Sequence, residues 1–224
     1  RSKKTVILNC PTERSRSVFQ NLKQVQIDKK MLFRPSLFYM DEYIDIVTAT
    51  GEPTGKTALK SEAHKNGWYH NTIHLWLYTK NGEMLLQQRS HKKAIHPLLW
   101  DVSAAGHIDA GESFVDAALR ETKEEIGLTL QPEELTKIGT KLHESSYANG
   151  TIQDNEFHQV YISELKVNLS DLKPQEDEVE ALKLVSFNEF EQLLKESERN
   201  NHFIPTNKSY YSFILDAVKA QLEL

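Results

Sequence analysis

Residues 106–128 read Gly-His-Ile-Asp-Ala-Gly-Glu-Ser-Phe-Val-Asp-Ala-Ala-Leu-Arg-Glu-Thr-Lys-Glu-Glu-Ile-Gly-Leu, and no other run constrains the chain as much. Ser113 followed three positions later by Asp116 is a capping-box-like start, and Gly127 supplies a left-handed stop, so the spacing predicts one short helix beginning after Gly111. At about 100° per residue, Val115, Ala118, Leu119, Thr122 and Ile126 fall on one side of it. Glu121, Glu124 and Glu125, spaced i, i+3, i+4, gather on another. The helix must therefore bury one face while carrying three carboxylates close together.

Like charges at that spacing repel, weakening a helix by a few tenths of a kcal/mol per pair. A hard divalent cation removes the conflict. Mg²⁺ or Mn²⁺ takes carboxylate oxygens, keeps several waters and is commonly shared with substrate phosphates, which suits an open acidic patch. Arg120 is placed to hold a neighbouring carboxylate by a bidentate fork.

The full spacing resembles the Nudix box: glycine, five residues, glutamate, seven residues, arginine-glutamate, an aliphatic, any residue, two glutamates, any residue, glycine, an aliphatic. Gly106, Glu112, Arg120, Glu121, Glu124, Glu125 and Gly127 fill every glycine and charged position. Seven such fixed residues would coincide by chance in a chain of this length with a probability on the order of 10⁻⁶. The departure is Thr122 at the first aliphatic position, where its β-branch still packs and its hydroxyl can bond back to a carbonyl.

The resemblance implies an α/β fold, an α/β/α sandwich with a mixed sheet, and Mg²⁺- or Mn²⁺-dependent hydrolysis of a diphosphate bond in a small-molecule substrate. Carried onto this chain, Glu121 and Glu125 are the first choices as metal ligands and Glu124 the next. Glu112 either contributes a ligand or pairs with Arg120, and Arg120 orients the glutamates. Gly106 and Gly127 serve the backbone. Glu121 and the downstream Glu176 and Glu178 are the candidates for general base, with a solvated charged turn as the alternative reading of 175–178.

Composition bounds the rest. With 224 residues and 39% hydrophobic content, one domain with a real core is expected. The single cysteine, Cys10, excludes a disulfide framework and cysteine-rich zinc sites and fits a reducing cytoplasm. No apolar run approaches the roughly 18 residues needed to span a bilayer, so no membrane role is expected. The formal net charge of −5 argues against general nucleic-acid binding.

That charge is unevenly spread. Residues 1–39 carry nine Lys/Arg against two Asp/Glu, net +7, which leaves −12 for the remainder. An acidic and aliphatic pattern begins at Met40, so a boundary is placed there, with a basic extension over 1–39 and the Nudix domain over 40–224. The basic arm reads as an organelle-targeting or polyanion-binding segment, or as a plain extension.

Residues 72–78 alternate and are rich in β-formers, and Asn81-Gly82 then signals a hairpin into Met84-Leu-Leu. Strands are expected around 137–143, 156–165 and 181–187, a short helix over 188–196, and a C-terminal helix. In that last helix Tyr211, Ile214, Leu215, Val218 and Leu222 recur at core spacing.

The resemblance extends over about 40–196, where the chain looks like the Nudix branch closest to isopentenyl diphosphate isomerase. It is carried by segments such as Glu62-Ala-His64, His70-Asn-Thr-Ile-His-Leu-Trp76, Leu85-Leu-Gln-Gln-Arg89-Ser and Trp100-Asp-Val-Ser-Ala-Ala-Gly-His107. Type I isomerases bind a metal through three histidines and two acids. Here His64, His70 and His107, with Asp154 and Glu156, match that set as a second metal site for a transition metal. Those isomerases protonate an alkene with a cysteine, whose position is Ala105 in this chain. Alanine can neither donate nor accept a proton, and the isomerases also tend to alter the glutamate box that is intact here, so hydrolysis is the favoured reading. A binding module without catalysis is the third alternative, disfavoured by the complete set of acids. The resemblance also allows a homodimer. The signatures that would name the substrate lie outside the box, and those of coenzyme A, ADP-ribose and dinucleoside-polyphosphate hydrolases are incomplete or absent.

Overall fold

A computed structural model describes residues 41–223; the basic arm and Cys10 lie outside the described residues. Two strands, β1 (Tyr43–Val47) and β2 (Pro53–Leu59), form an antiparallel pair followed by helix α1 (Lys60–Asn66). The long strand β3 (His70–Thr79) then turns into β4 (Glu83–Arg89). Asn81-Gly82 makes the turn as expected: Gly82 sits at φ +76°, a left-handed conformation glycine adopts at little cost, and its N–H donates to Thr79 O at 3.1 Å.

That hairpin is held by two cross-strand pairs, Tyr78↔Met84 and Thr79↔Glu83, after which its strands part and take new partners. β3 pairs with β6 (Ala104–His107) on one edge and runs parallel to β8 (Ile152–Glu164) on the other, from His70↔Glu156 to Tyr78↔Glu164. β4 pairs with β5 (Trp100–Asp101) and with β9 (Val179–Ser186), while β7 (Thr136–Tyr147) flanks β8. Among the described residues these nine strands form one mostly antiparallel mixed sheet that opens between β6 and β4.

Helix α2 (Phe114–Ile126) covers one face of the sheet, and α3 (Phe187–Lys195) and α4 (Lys208–Gln221) cover the other. The alternation along β3 is real, but both sets of side chains are buried. Ile73, Leu75 and Leu77 pack with Ala117, Ala118 and Ile126 of α2, while Trp76 and Tyr78 pack with Phe190, Tyr211, Ile214 and Val218. A strand at the centre of an α/β/α sandwich has no solvent face, which is why the period-two pattern here does not separate inside from outside. Of the predicted core set, Tyr211, Ile214, Leu215 and Val218 are buried and Leu222 is half-buried. No helix among the described residues is long and apolar enough to cross a membrane.

Candidate active site

The box helix is built as its sequence dictates. Ser113 caps the start, its Oγ accepting from Asp116 N at 3.1 Å, and Gly127 ends the helix at φ +70°. Thr122 is fully buried and donates to Ala118 O at 2.6 Å, so the departure from an aliphatic is absorbed inside the helix. Glu125 follows the buried face to the sheet, where Oε2 accepts from Ala105 N at 3.0 Å. Glu121 reaches across to Gly106. A Cβ built on that glycine would lie 2.1 Å from Glu121 Cδ, so only a residue without a side chain permits this approach.

The expected patch of three glutamates thus divides. Glu121 and Glu125 are drawn in toward the sheet, whereas the Glu124 side chain is 55% exposed and lies 3.3 Å from Arg120 Nη1. Burial pushes Glu121 up to about 8, with Glu125 and Glu124 adding to the rise and Arg120 opposing it. Burial likewise lifts Glu125 to about 7, against the hydrogen bonds from Ala105 N and Gln87 and the charges of Lys93 and Arg89. Two carboxylates that burial makes resist ionisation, one of them raised further by the other, are a donor set a hard divalent cation would relieve.

Arg120 holds Glu112 by a fork, Nε to Oε1 at 2.9 Å and Nη2 to Oε2 at 2.8 Å. The same guanidinium donates from Nη1 to Glu121 Oε1 at 2.8 Å and from Nη2 to His107 O at 3.0 Å. Arg120 therefore ties the start of the box, its helix and strand β6 together.

The three predicted histidines also converge. His64, His70, His107 and Glu156 each offer one ligand atom within 4.8 Å of the others. His70 faces Trp68 O through Nδ1 at 3.0 Å, which makes Nδ1 the protonated nitrogen and leaves the Nε2 lone pair inward. That Nε2 is buried without a hydrogen-bond partner, 3.5 Å from Glu156 Oε1. His64 Nδ1 faces Gln153 O and Asp154 Oδ1, each at 3.3 Å, so its Nε2 lone pair also points inward, 3.1 Å from His107 Nε2. Inward lone pairs with outer carbonyls fixing the tautomers suit a borderline metal that accepts nitrogen and oxygen. Asp154, expected among these ligands, lies outside the four-residue group, between His64 and His143. Burial raises its pKa, and Glu156 adds to the rise.

Sequence reasoning missed a second set of side chains. On β4, Arg89 and Gln87 stand near Glu125, with Lys93 in the loop that follows. Beyond Ala105, His74 stacks on His158 with ring centroids 3.9 Å apart, and His143 lies 5.4 Å from His158. Burial holds His74 well below the usual imidazole range and brings His158 down to about 4. A signal existed: His70, Thr72, His74 and Glu156, His158 place polar residues at period two inside buried strands, where apolar residues belong. Of the downstream base candidates, Glu176 is exposed and Glu178 is ion-paired with Lys93. The turn that carries them docks on the box helix through Gln175 N to Glu125 O at 2.8 Å.

A sequence model of the NUDIX domain matches residues 68–206. Nudix hydrolase 3 of Arabidopsis thaliana is 32% identical over 188 residues, covering 82% of this chain and 24% of the plant protein, so the chain spans about a quarter of that relative. An isopentenyl-diphosphate Delta-isomerase of Serratia proteamaculans is 32% identical over 161 residues, 72% of this chain and 84% of the relative. A solved structure from Deinococcus radiodurans shares the fold with a TM-score of 0.56 at 16% identity, over 76% of this chain and 98% of the other. The domain match runs through the whole box, and the relatives include both hydrolases and isomerases; the chain belongs to the Nudix family.

Proposed function

We propose that this protein hydrolyses the diphosphate bond of a small organic diphosphate, with Mg²⁺ or Mn²⁺ held by Glu121 and Glu125. The observation that carries this reading is the pair of buried carboxylates gathered against β6 where the sheet opens, with proton affinities raised to about 8 and about 7. A divalent cation bound there offsets phosphate charge and lowers the pKa of a water. The chain's own groups do the rest. Arg120 fixes Glu121 from behind, and Ala105 N fixes Glu125. Arg89 and Lys93 bring positive charge to Glu125, a charge that would also favour phosphate oxygens nearby. Glu121 is the favoured base for taking the proton of the attacking water, since of the downstream candidates Glu176 is exposed and Glu178 pairs with Lys93.

The histidine group with Glu156 is read as a second site for a transition metal. Isomerisation is disfavoured because Ala105 occupies the position of the isomerases' proton-transferring cysteine. Phosphate release across a panel of nucleoside diphosphate derivatives and isopentenyl diphosphate, with Mg²⁺ or Mn²⁺, tests the reading. Glu121→Gln should abolish release while Glu178→Gln stays near wild type. Loss in Glu178→Gln alone would move the base out of the box, and isomerised isopentenyl diphosphate without release would replace hydrolysis altogether.

A further inference from the structure

Gln87 stands where an apolar residue belongs. Met84 and Leu86 of β4 pack toward α3 and α4, and Leu85 packs toward the box helix with Ile73 and Ile126. Gln87, two residues beyond Leu85, shares its face, is only 4% exposed and lies opposite Leu182 of β9. A leucine or methionine would fill that place without burying a polar group.

One end of its amide is occupied. Glu125 accepts from Ala105 N and takes a further hydrogen bond from Gln87. An ionised carboxylate offers no proton, so the amide meets it through N–H and turns Oε1 elsewhere. That oxygen is buried and has no hydrogen-bond partner among the described residues. The groups near it are engaged with other partners: Lys93 pairs with Glu178, Arg89 donates from Nε to Ile95 O at 3.1 Å, and Asp101, across the ladder from Gln87, accepts from Val102 N and Tyr211 Oη. A buried acceptor left open beside a candidate cation ligand calls for a donor from outside the chain. A hard divalent cation bound by carboxylates keeps several of its waters, and each of them is such a donor.

We infer that Gln87 is a positioning residue of the cation site: its N–H fixes Glu125, and its amide oxygen accepts a hydrogen bond from a water retained by a cation held there. A neutral amide orients such a water without taking its proton, which leaves proton removal to Glu121. The inference rests on the cation reading of Glu121 and Glu125 and adds to it a residue from outside the box.

Calorimetric titration of the metal-free full chain with Mn²⁺, urea unfolding without metal, and phosphate release from the nucleoside diphosphate panel test it in wild type, Gln87→Leu and Gln87→Met. Both apolar variants should bind Mn²⁺ about 10- to 100-fold more weakly and lose kcat by a similar factor with KM little changed. They should unfold at no lower urea concentration than wild type, because an apolar side chain suits the buried face better than an unpaired carbonyl. Mn²⁺ affinity unchanged in both variants would overturn the inference, and a fall in their metal-free stability alongside the lost affinity would assign Gln87 to packing instead. Weaker Mn²⁺ binding in the variants, with no phosphate release by wild type from any substrate, would keep Gln87 at the cation and remove the hydrolase reading. Metal-dependent release by wild type, with Mn²⁺ affinity and kcat both unchanged in the variants, would do the reverse.

Discussion

Gly106 and Glu121 are in direct apposition: the space a Cβ would need on the glycine is filled by the glutamate's carboxylate, 2.1 Å from Cδ. The glycine has no positive φ to require it, so the constraint is the close approach itself. This relationship explains why the box begins with glycine fifteen positions before the glutamate it serves.

Gly106→Ala should therefore displace Glu121 while the fold survives, because the helix and sheet around it are held by independent core contacts. A misplacement of about 1 Å in such a site costs on the order of 10²-fold in rate. Phosphate release and Mn²⁺ titration should fall together, with circular dichroism unchanged. Full activity in this variant would show that Glu121 need not sit where it does.

His107→Ala removes one of four convergent ligand atoms and should weaken transition-metal binding by about 10- to 100-fold. Metal analysis of purified wild type and variant checks this. Weakly held Mg²⁺ alone, the same in both proteins, would remove the second metal site.

Asp101 gives the fold a pH dependence that can be isolated. Burial raises its pKa from 3.8 to about 6, even though Val102 N and Tyr211 Oη both donate to it. The folded chain thus holds this proton more tightly than the unfolded chain. The contribution of Asp101 to stability should fall as pH rises from about 4 to about 6 and stay level above that, with a total effect of roughly 3 kcal/mol at most. Asp101→Asn should flatten that segment of the profile in urea unfolding, whatever its absolute stability. An unchanged slope would place the titration elsewhere.

The box was legible because helix caps, spacing and glycines are local features that sequence records directly. Ser113, Gly127 and the Thr122 back-bond stand where the residue pattern puts them. What escaped were consequences of strand register. The parting of β3 from β4 after two pairs decides that Arg89 and Lys93 approach the box, and the ladders β3–β6 and β3–β8 decide that His74, Ala105 and His158 share one face. Periodicity identifies a strand but not its neighbours, so a polar residue inside it cannot be assigned a partner. Glu112 pairs with Arg120, one of the two roles its spacing offered, and Asp154 lies outside the four-residue histidine group.

On the proposed function, Glu125, buried against Ala105, helps hold a catalytic cation. The most direct measurement is metal-dependent phosphate release from nucleoside diphosphate derivatives by wild type and Glu125→Gln, which keeps the side chain's volume and removes its charge. Release that requires Mg²⁺ or Mn²⁺ and falls by at least about 10²-fold in the variant is the predicted result. Metal-independent release, or equal rates in the two proteins, would mean that Glu125 holds no catalytic cation.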